Sequence, residues 1–159
     1  MLLLEYFENA TYAAYNFNEP WDGPNNRKLE SRMPRCYSCP VVRGRQAPWT
    51  TNYFVVVGDQ TLFPGPKPLA LTDVEKPTST VVMLVESVGQ NVHWMEPKDL
   101  AFDSMSFVVN DESRPSVSSR HPDSRPYICM ADVTRSRLSD VSPEMLKEMF
   151  LIKRSGKGE

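Results

Sequence analysis

An α+β fold is predicted for these 159 residues on three observations. A helical apolar period opens the chain, two β-branched runs occupy its middle, and a capped helical segment closes it. In LLLEYFENATYAAYNF (2–17), apolar residues fall at Leu3, Tyr6, Phe7, Ala10, Ala13, Ala14 and Phe17, with Glu5, Glu8 and Asn9 opposite. That is the spacing of an amphipathic helix. NEPWDGPNN stops it, because Pro20 cannot continue a helix and Asp22-Gly23 is turn chemistry. Pro24 suits the first position of a short second helix to Met33, with Leu29 and Met33 inward.

After PRCYSCP the period changes. TNYFVVV (51–57) and TVVMLVE (80–86) are β-branched runs bounded by Gly, Pro and Asp, and both read as strands. A proline-rich loop joins them. NVHWM reads as a short extended piece, EPKDL (96–100) as a single helical turn, and YICMAD with SRL as paired strands. SPEMLKEMFLI closes the chain as a helix, with Ser142 as N-cap and Pro143 in its first turn. No internal repeat or domain-splitting linker is visible, so residues 1–159 are expected to form one domain with an irregular antiparallel sheet.

Composition removes several function classes. Apolar residues make up 40% and charged residues 24%, ordinary for a globular domain. Fourteen prolines against seven glycines demand short elements and many loops. The net charge is −2 with basic residues scattered, which gives nucleic acid no electrostatic footprint. No stretch approaches the roughly 18–20 apolar residues of a membrane span. Met1-Leu2-Leu3-Leu4 is too short for a signal-peptide core and adjoins Glu5, so the chain as written is expected in the cytoplasm.

The strings YNFNEPWDGPNNRKL, CP, TNYFVVVG, TLFPG, TVVMLVE, HWMEPKDLAFDSMSF and SSRHP…ADV follow one another in an order that resembles the bacterial prepilin-type H-X9-DG family of pseudopilin-like proteins. The resemblance runs from about Leu2 to Glu159 and rests on Trp21, Asp22, Asn26, Cys39, Pro40, Glu86, Trp94, Pro97, His121, Pro122 and Asp132. It implies a pilin-like α+β head with a structural or assembly role. The implied partners are protein subunits of a type IV pilus or type II secretion complex. Relatives are extracytoplasmic and held in the membrane by an apolar helix behind a prepilin peptidase site. Residues 1–159 are expected to be such a head without that anchor.

The chain departs from the pattern in three places. The resemblance begins at Leu2, so the anchoring segment is expected to be absent. Ten residues, not nine, separate His121 from Asp132, and Val133 stands where the motif has glycine. Lys76-Pro77-Thr78-Ser79-Thr80 replaces an Asp-Gly turn before the second strand. Valine adopts positive φ only with strain, so the turn after Asp132 is expected to be wider than an Asp-Gly hairpin.

His121 with Asp132 would need a nucleophile or pocket for catalysis, and no nucleophile elbow, phosphate loop or zinc-protease motif is present. The expectation is scaffolding: His121 bonded to backbone at a hairpin mouth, Asp132 capping its turn, and no enzyme activity. Cys36-x-x-Cys39 lacks a second pair for zinc. His93, His121 and Cys129 have no spacing that completes it, so no metal or cofactor is expected. The resemblance implies that in relatives the cysteine at Cys39 bonds to one on the anchoring helix. Cys129 reads as a small buried hydrophobe. Glu19, Asp22, Asn25 and Asn26 lack the spacing of a calcium loop and suit turn and cap roles. Asp99, Asp103 and Glu86 read as helix-turn and strand-end residues. Trp21, Trp49 and Trp94 would stack on a glycan or plug gaps between loop and sheet. The alternative function is therefore a binding module for a small solute, glycan or Ca2+.

Overall fold

A computed structural model describes residues 5–6, 8–66 and 68–153. Backbone contacts group the chain into two compact units, Met1–Asn52 with Asn91–Lys98 and Tyr53–Gln90 with Asp99–Glu159. Together the elements are α+β with a mostly antiparallel sheet.

In the first unit, helix α1 (Asn9–Ala14) is six residues long, shorter than the apolar period predicts. Its packed side carries buried Thr11 and half-buried Tyr12, with Tyr15 just beyond the helix, whereas Tyr6, Ala10, Ala13, Ala14 and Phe17 are exposed. Leu3 and Phe7 lie outside the described residues. Two tyrosine rings remove far more apolar surface from water than three alanine methyls do, which explains why the alanine stripe loses. The second helix is a 3₁₀ segment, Asn26–Arg32, rather than an α-helix. Residues i and i+3 eclipse in that geometry, so Asn26 and Leu29 are buried on one face. Leu29, Trp94 and Met95 form the core, with Tyr12, Tyr15, Trp21, Met33 and Tyr37 packed against them.

The helical turn predicted at 96–100 is absent. A turn closes earlier, where Glu96 N donates to His93 O at 2.9 Å. Pro97 explains the difference: it offers no amide and biases Glu96 away from helix.

The second unit holds the sheet. Strands β1 (Tyr53–Phe54), β3 (Val82–Glu86), β5 (Tyr127–Met130) and β6 (Arg135–Arg137) pair antiparallel in the order β1-β3-β5-β6. Strands β2 (Val56–Val57) and β4 (Leu100–Ala101) form a separate parallel pair that the sequence did not announce. The run 51–57 divides at Val55, whose amide donates to Asp99 Oδ1 (3.1 Å) and whose carbonyl accepts from Leu100 N (3.2 Å). Val82 faces Met130 while Leu84 faces Cys129, so β3 carries a bulge at Met83. Ile128 and Met130 are both buried, as alternation along β5 requires.

The β5–β6 turn is wider than an Asp-Gly hairpin, as Val133 leads one to expect. Val133 N donates to Met130 O (2.9 Å) and Met130 N to Thr134 O (2.8 Å), with Val133 at φ +63°. This is a three-residue hairpin loop ending in a left-handed residue, the position glycine favours. With three loop residues the turn is one residue wider than a two-residue Asp-Gly hairpin, but Val133 still takes the left-handed conformation and carries its strain.

Helix α2 (Pro143–Phe150) starts where Ser142 Oγ accepts from Met145 N (3.2 Å) and buries Leu146 and Phe150. Ile152 joins Val81 and Ala131 in a cluster that also gathers Leu62, Leu69 and Val74 from the proline-rich loop. No helix among the described residues is long and apolar enough to cross a membrane.

Candidate functional site

The most unusual chemistry lies at the end of β3. TVVMLVE closes in a glutamate on a strand otherwise apolar, and Glu86 is fully buried. Beyond Val85–Ile128 the β3–β5 ladder gives way to other partners. Tyr127 N donates to Glu86 Oε2 at 3.0 Å, and Glu86 O accepts from Ser118 N at 3.0 Å. Segment 116–121 is fastened alongside by serines: Ser87 Oγ donates to Ser116 O (2.6 Å) and Val88 N to Ser118 Oγ (3.0 Å). Ser119 Oγ then accepts from His121 N (3.0 Å), and Ser124 N donates to His121 O (2.8 Å).

These bonds set the His121 ring over the carboxylate, with Nε2 3.4 Å from Glu86 Oε1. The ring meets Tyr127 edge-on at 5.4 Å, and the Arg137 guanidinium lies over the same tyrosine ring, 4.8 Å from its centroid. Glu86 Oε1 makes no hydrogen bond among the described residues. An ionised oxygen left unsatisfied in a protein interior costs more than about 1–3 kcal/mol. Asp132 sits at the opposite end of β5, where its Oδ1 accepts from Thr134 N at 2.9 Å in the hairpin turn. The partner of His121 is thus Glu86 and not Asp132. Pro122 is exposed.

The remaining motif residues fall in the first unit and are bound up in its loops. Asn26 is fully buried: its Nδ2 donates to Asn16 O (2.9 Å) and Pro20 O (3.0 Å), and its Oδ1 accepts from Asn16 N (2.8 Å). Glu19 Oε1 accepts from the amides of Asn25 (2.8 Å) and Asn26 (2.7 Å). Desolvation would raise the Glu19 carboxyl, but the bonds from Asn26 and Asn25 outweigh it and hold it below its ordinary value. The Glu19 and Asn26 oxygens therefore serve their own loop. Asp22 is exposed.

Trp94 is a buried plug whose Nε1 donates to Glu30 O (3.0 Å). Trp21 stacks on His93 with centroids 4.9 Å apart. Burial pushes the His93 imidazole below its ordinary value, against the opposing charges of Glu30 and Glu96. Its Nδ1 accepts from Met95 N (3.2 Å), a bond only the neutral ring makes. Pro97 and Pro40 are exposed. Cys39 is buried, with its amide donating to Asn52 Oδ1 (2.9 Å). Cys36 is exposed and Cys129 half-buried. Burial raises the Cys129 thiol.

Each unit also carries a groove. In the second, about 380 Å³ is bordered by Asn110, Asp111, Glu112, Arg114 and Arg120. Hydrogen bonds from Ser106 and Ser113 hold the Asp111 carboxyl at about 2. In the first, about 540 Å³ is bordered by Met33, Arg35, Arg43, Pro48 and Trp49. Trp49 is 37% exposed and held at φ +60°. Neither groove is lined by any residue on which the family resemblance rests.

Sequence reasoning missed the Glu86–His121 encounter. A carboxylate ending a buried strand was the available signal for it. Compared with protein-family models, with curated proteins and with solved structures, the chain matches none.

Proposed function

We propose that this chain is the non-catalytic head of a pseudopilin-like protein of the prepilin-type H-X9-DG kind. Its role in this reading is structural, within a type IV pilus or type II secretion assembly. One observation supports it above others: Asn26, Trp94 and Asp132, which carry the resemblance, hold the head's own loops, and no residue it rests on lines either groove. A catalytic or ligand-binding family signature would be displayed on a concave surface instead. The test is isolation of pilus or secretion complexes from the chain's own host, followed by immunodetection of the chain. It should co-purify with filament or secretion subunits. Its recovery free of any such subunit, together with turnover of a substrate by the purified chain, would reverse the reading.

The groove at Trp49 favours a second reading, a binding module for a solute or glycan. An exposed indole beside Arg35 and Arg43 offers a stacking face with charged donors. Quenching of tryptophan fluorescence by a glycan panel, lost in Trp49→Ala and kept in Trp21→Phe, would support this reading over assembly.

A further inference from the structure

The geometry points to a zinc-type metal site in the second unit, with Glu86 Oε1 and His121 Nε2 as two of its ligands. Neither the family resemblance nor the assembly reading assigns such a site, and the inference stands independently of both. Three observations carry it.

The first is separation. A charge-assisted N–H···O bond between imidazolium and carboxylate closes to about 2.7–2.9 Å. The two atoms stand at 3.4 Å. Zinc binds histidine nitrogen at about 2.0–2.1 Å and carboxylate oxygen at about 2.0–2.2 Å, so two donors at a tetrahedral angle lie about 3.4 Å apart. The observed gap is that of co-ligands.

The second is the orphaned oxygen. Glu86 has no exposed side-chain surface, and its Oε1 has no hydrogen bond among the described residues although the other oxygen is bonded to Tyr127 N. A buried carboxylate is tolerated when it is paired or coordinates a metal. Here one oxygen is fixed from the backbone and the other points at the imidazole, the division of labour between outer-shell support and ligation.

The third is preorganisation. Ser118 N on Glu86 O, Ser119 Oγ on His121 N and the edge-on Tyr127 ring fix the loop that delivers the imidazole. Carboxylate plus imidazole is a donor set suited to zinc and its neighbours rather than to calcium or magnesium. Two protein donors fill half of a tetrahedral shell, and the other positions belong to water or further donors. Because a preformed site is absent from the unfolded chain, metal bound here stabilises the fold.

The experiment uses the full chain, stripped with chelator and titrated with zinc and with cobalt(II). Binding is followed by calorimetry and by cobalt absorption, and folding by circular dichroism and thermal melting. The wild type should take up one equivalent of zinc and melt at a higher temperature with it. Glu86→Gln keeps an acceptor for Tyr127 N, and His121→Asn removes the imidazole from a half-buried position. Each variant should remain folded, bind zinc at least about 10-fold more weakly, the scale of loss that even an outer-shell change produces, and lose the zinc-dependent rise. Should either variant fail to fold, chelator added to zinc-loaded wild type serves the same purpose and should lower its melting temperature. A wild-type chain that takes up no zinc and melts identically with zinc and with chelator would overturn the proposal, as would a Glu86→Gln variant that binds zinc like the wild type.

Discussion

Replacing Val133 with glycine is expected to stabilise the second unit. A β-branched residue held at φ +63° is a strained backbone, and such a conformation costs about 1–3 kcal/mol. Glycine removes that strain at an entropic cost of about 0.5–1 kcal/mol. The side chain contributes little to packing: Val133 is 72% exposed, so its loss removes about 0.5 kcal/mol of apolar burial. With strain near the middle of its range, the balance favours glycine by about 0.5–1 kcal/mol. Urea denaturation followed by far-UV circular dichroism should show a higher midpoint at unchanged slope, and thermal melting a rise of about 2–4 °C per kcal/mol. Asparagine, which tolerates the left-handed region, should fall between valine and glycine. A Val133→Gly protein that is less stable than the wild type would refute the strain argument. The substitution would also restore the Asp-Gly pair that the family resemblance leads one to expect.

Asn26→Ala should cost about 3 kcal/mol, because it leaves the Asn16 amide and the carbonyls of Asn16 and Pro20 without their partner; chemical denaturation reads this directly. The first unit should lose stability as the pH falls below about 6.5. There the unfolded chain protonates at His93 while the native ring, its affinity for a proton lowered by burial, does not; His93→Gln should flatten that decline in melts at stepped pH. Iodoacetamide followed by peptide mass spectrometry should label exposed Cys36 first, with Cys129, its thiol raised by burial, and buried Cys39 lagging.

The parts of the fold legible in the sequence were those governed by local rules. Alternation of Ile128 and Met130 marked the buried face of β5, and Ser142-Pro143 marked the start of α2. What escaped depended on competition between distant parts of the chain. The apolar stripe of 2–17 counted alanines and tyrosines alike, whereas packing weighs area, so Thr11, Tyr12 and Tyr15 carry the contact. Val55 leaves the expected strand because Asp99 and Leu100 compete for its backbone, and no local pattern records that. The turn is wider than an Asp-Gly hairpin, as expected at Val133, but the hairpin ladder still imposes the left-handed conformation on that residue. At the candidate site, His121 and Asp132 are near in sequence yet separated by the length of β5. Glu86 reaches His121 only because Ser118 is bonded to the end of β3.

The central claim is that the residues carrying the family resemblance build the head rather than act on a substrate or recognise a partner. It is tested most directly by alanine substitution at Asn26, Trp94, Glu86, His121 and Asp132, measuring for each variant the melting temperature and the amount of filament or secretion subunit captured per folded molecule. The account predicts that every substitution lowers the melting temperature while capture by the folded fraction is unchanged. A substitution that leaves the melting temperature intact and abolishes capture, or exposes loss of an enzymatic turnover, would contradict it.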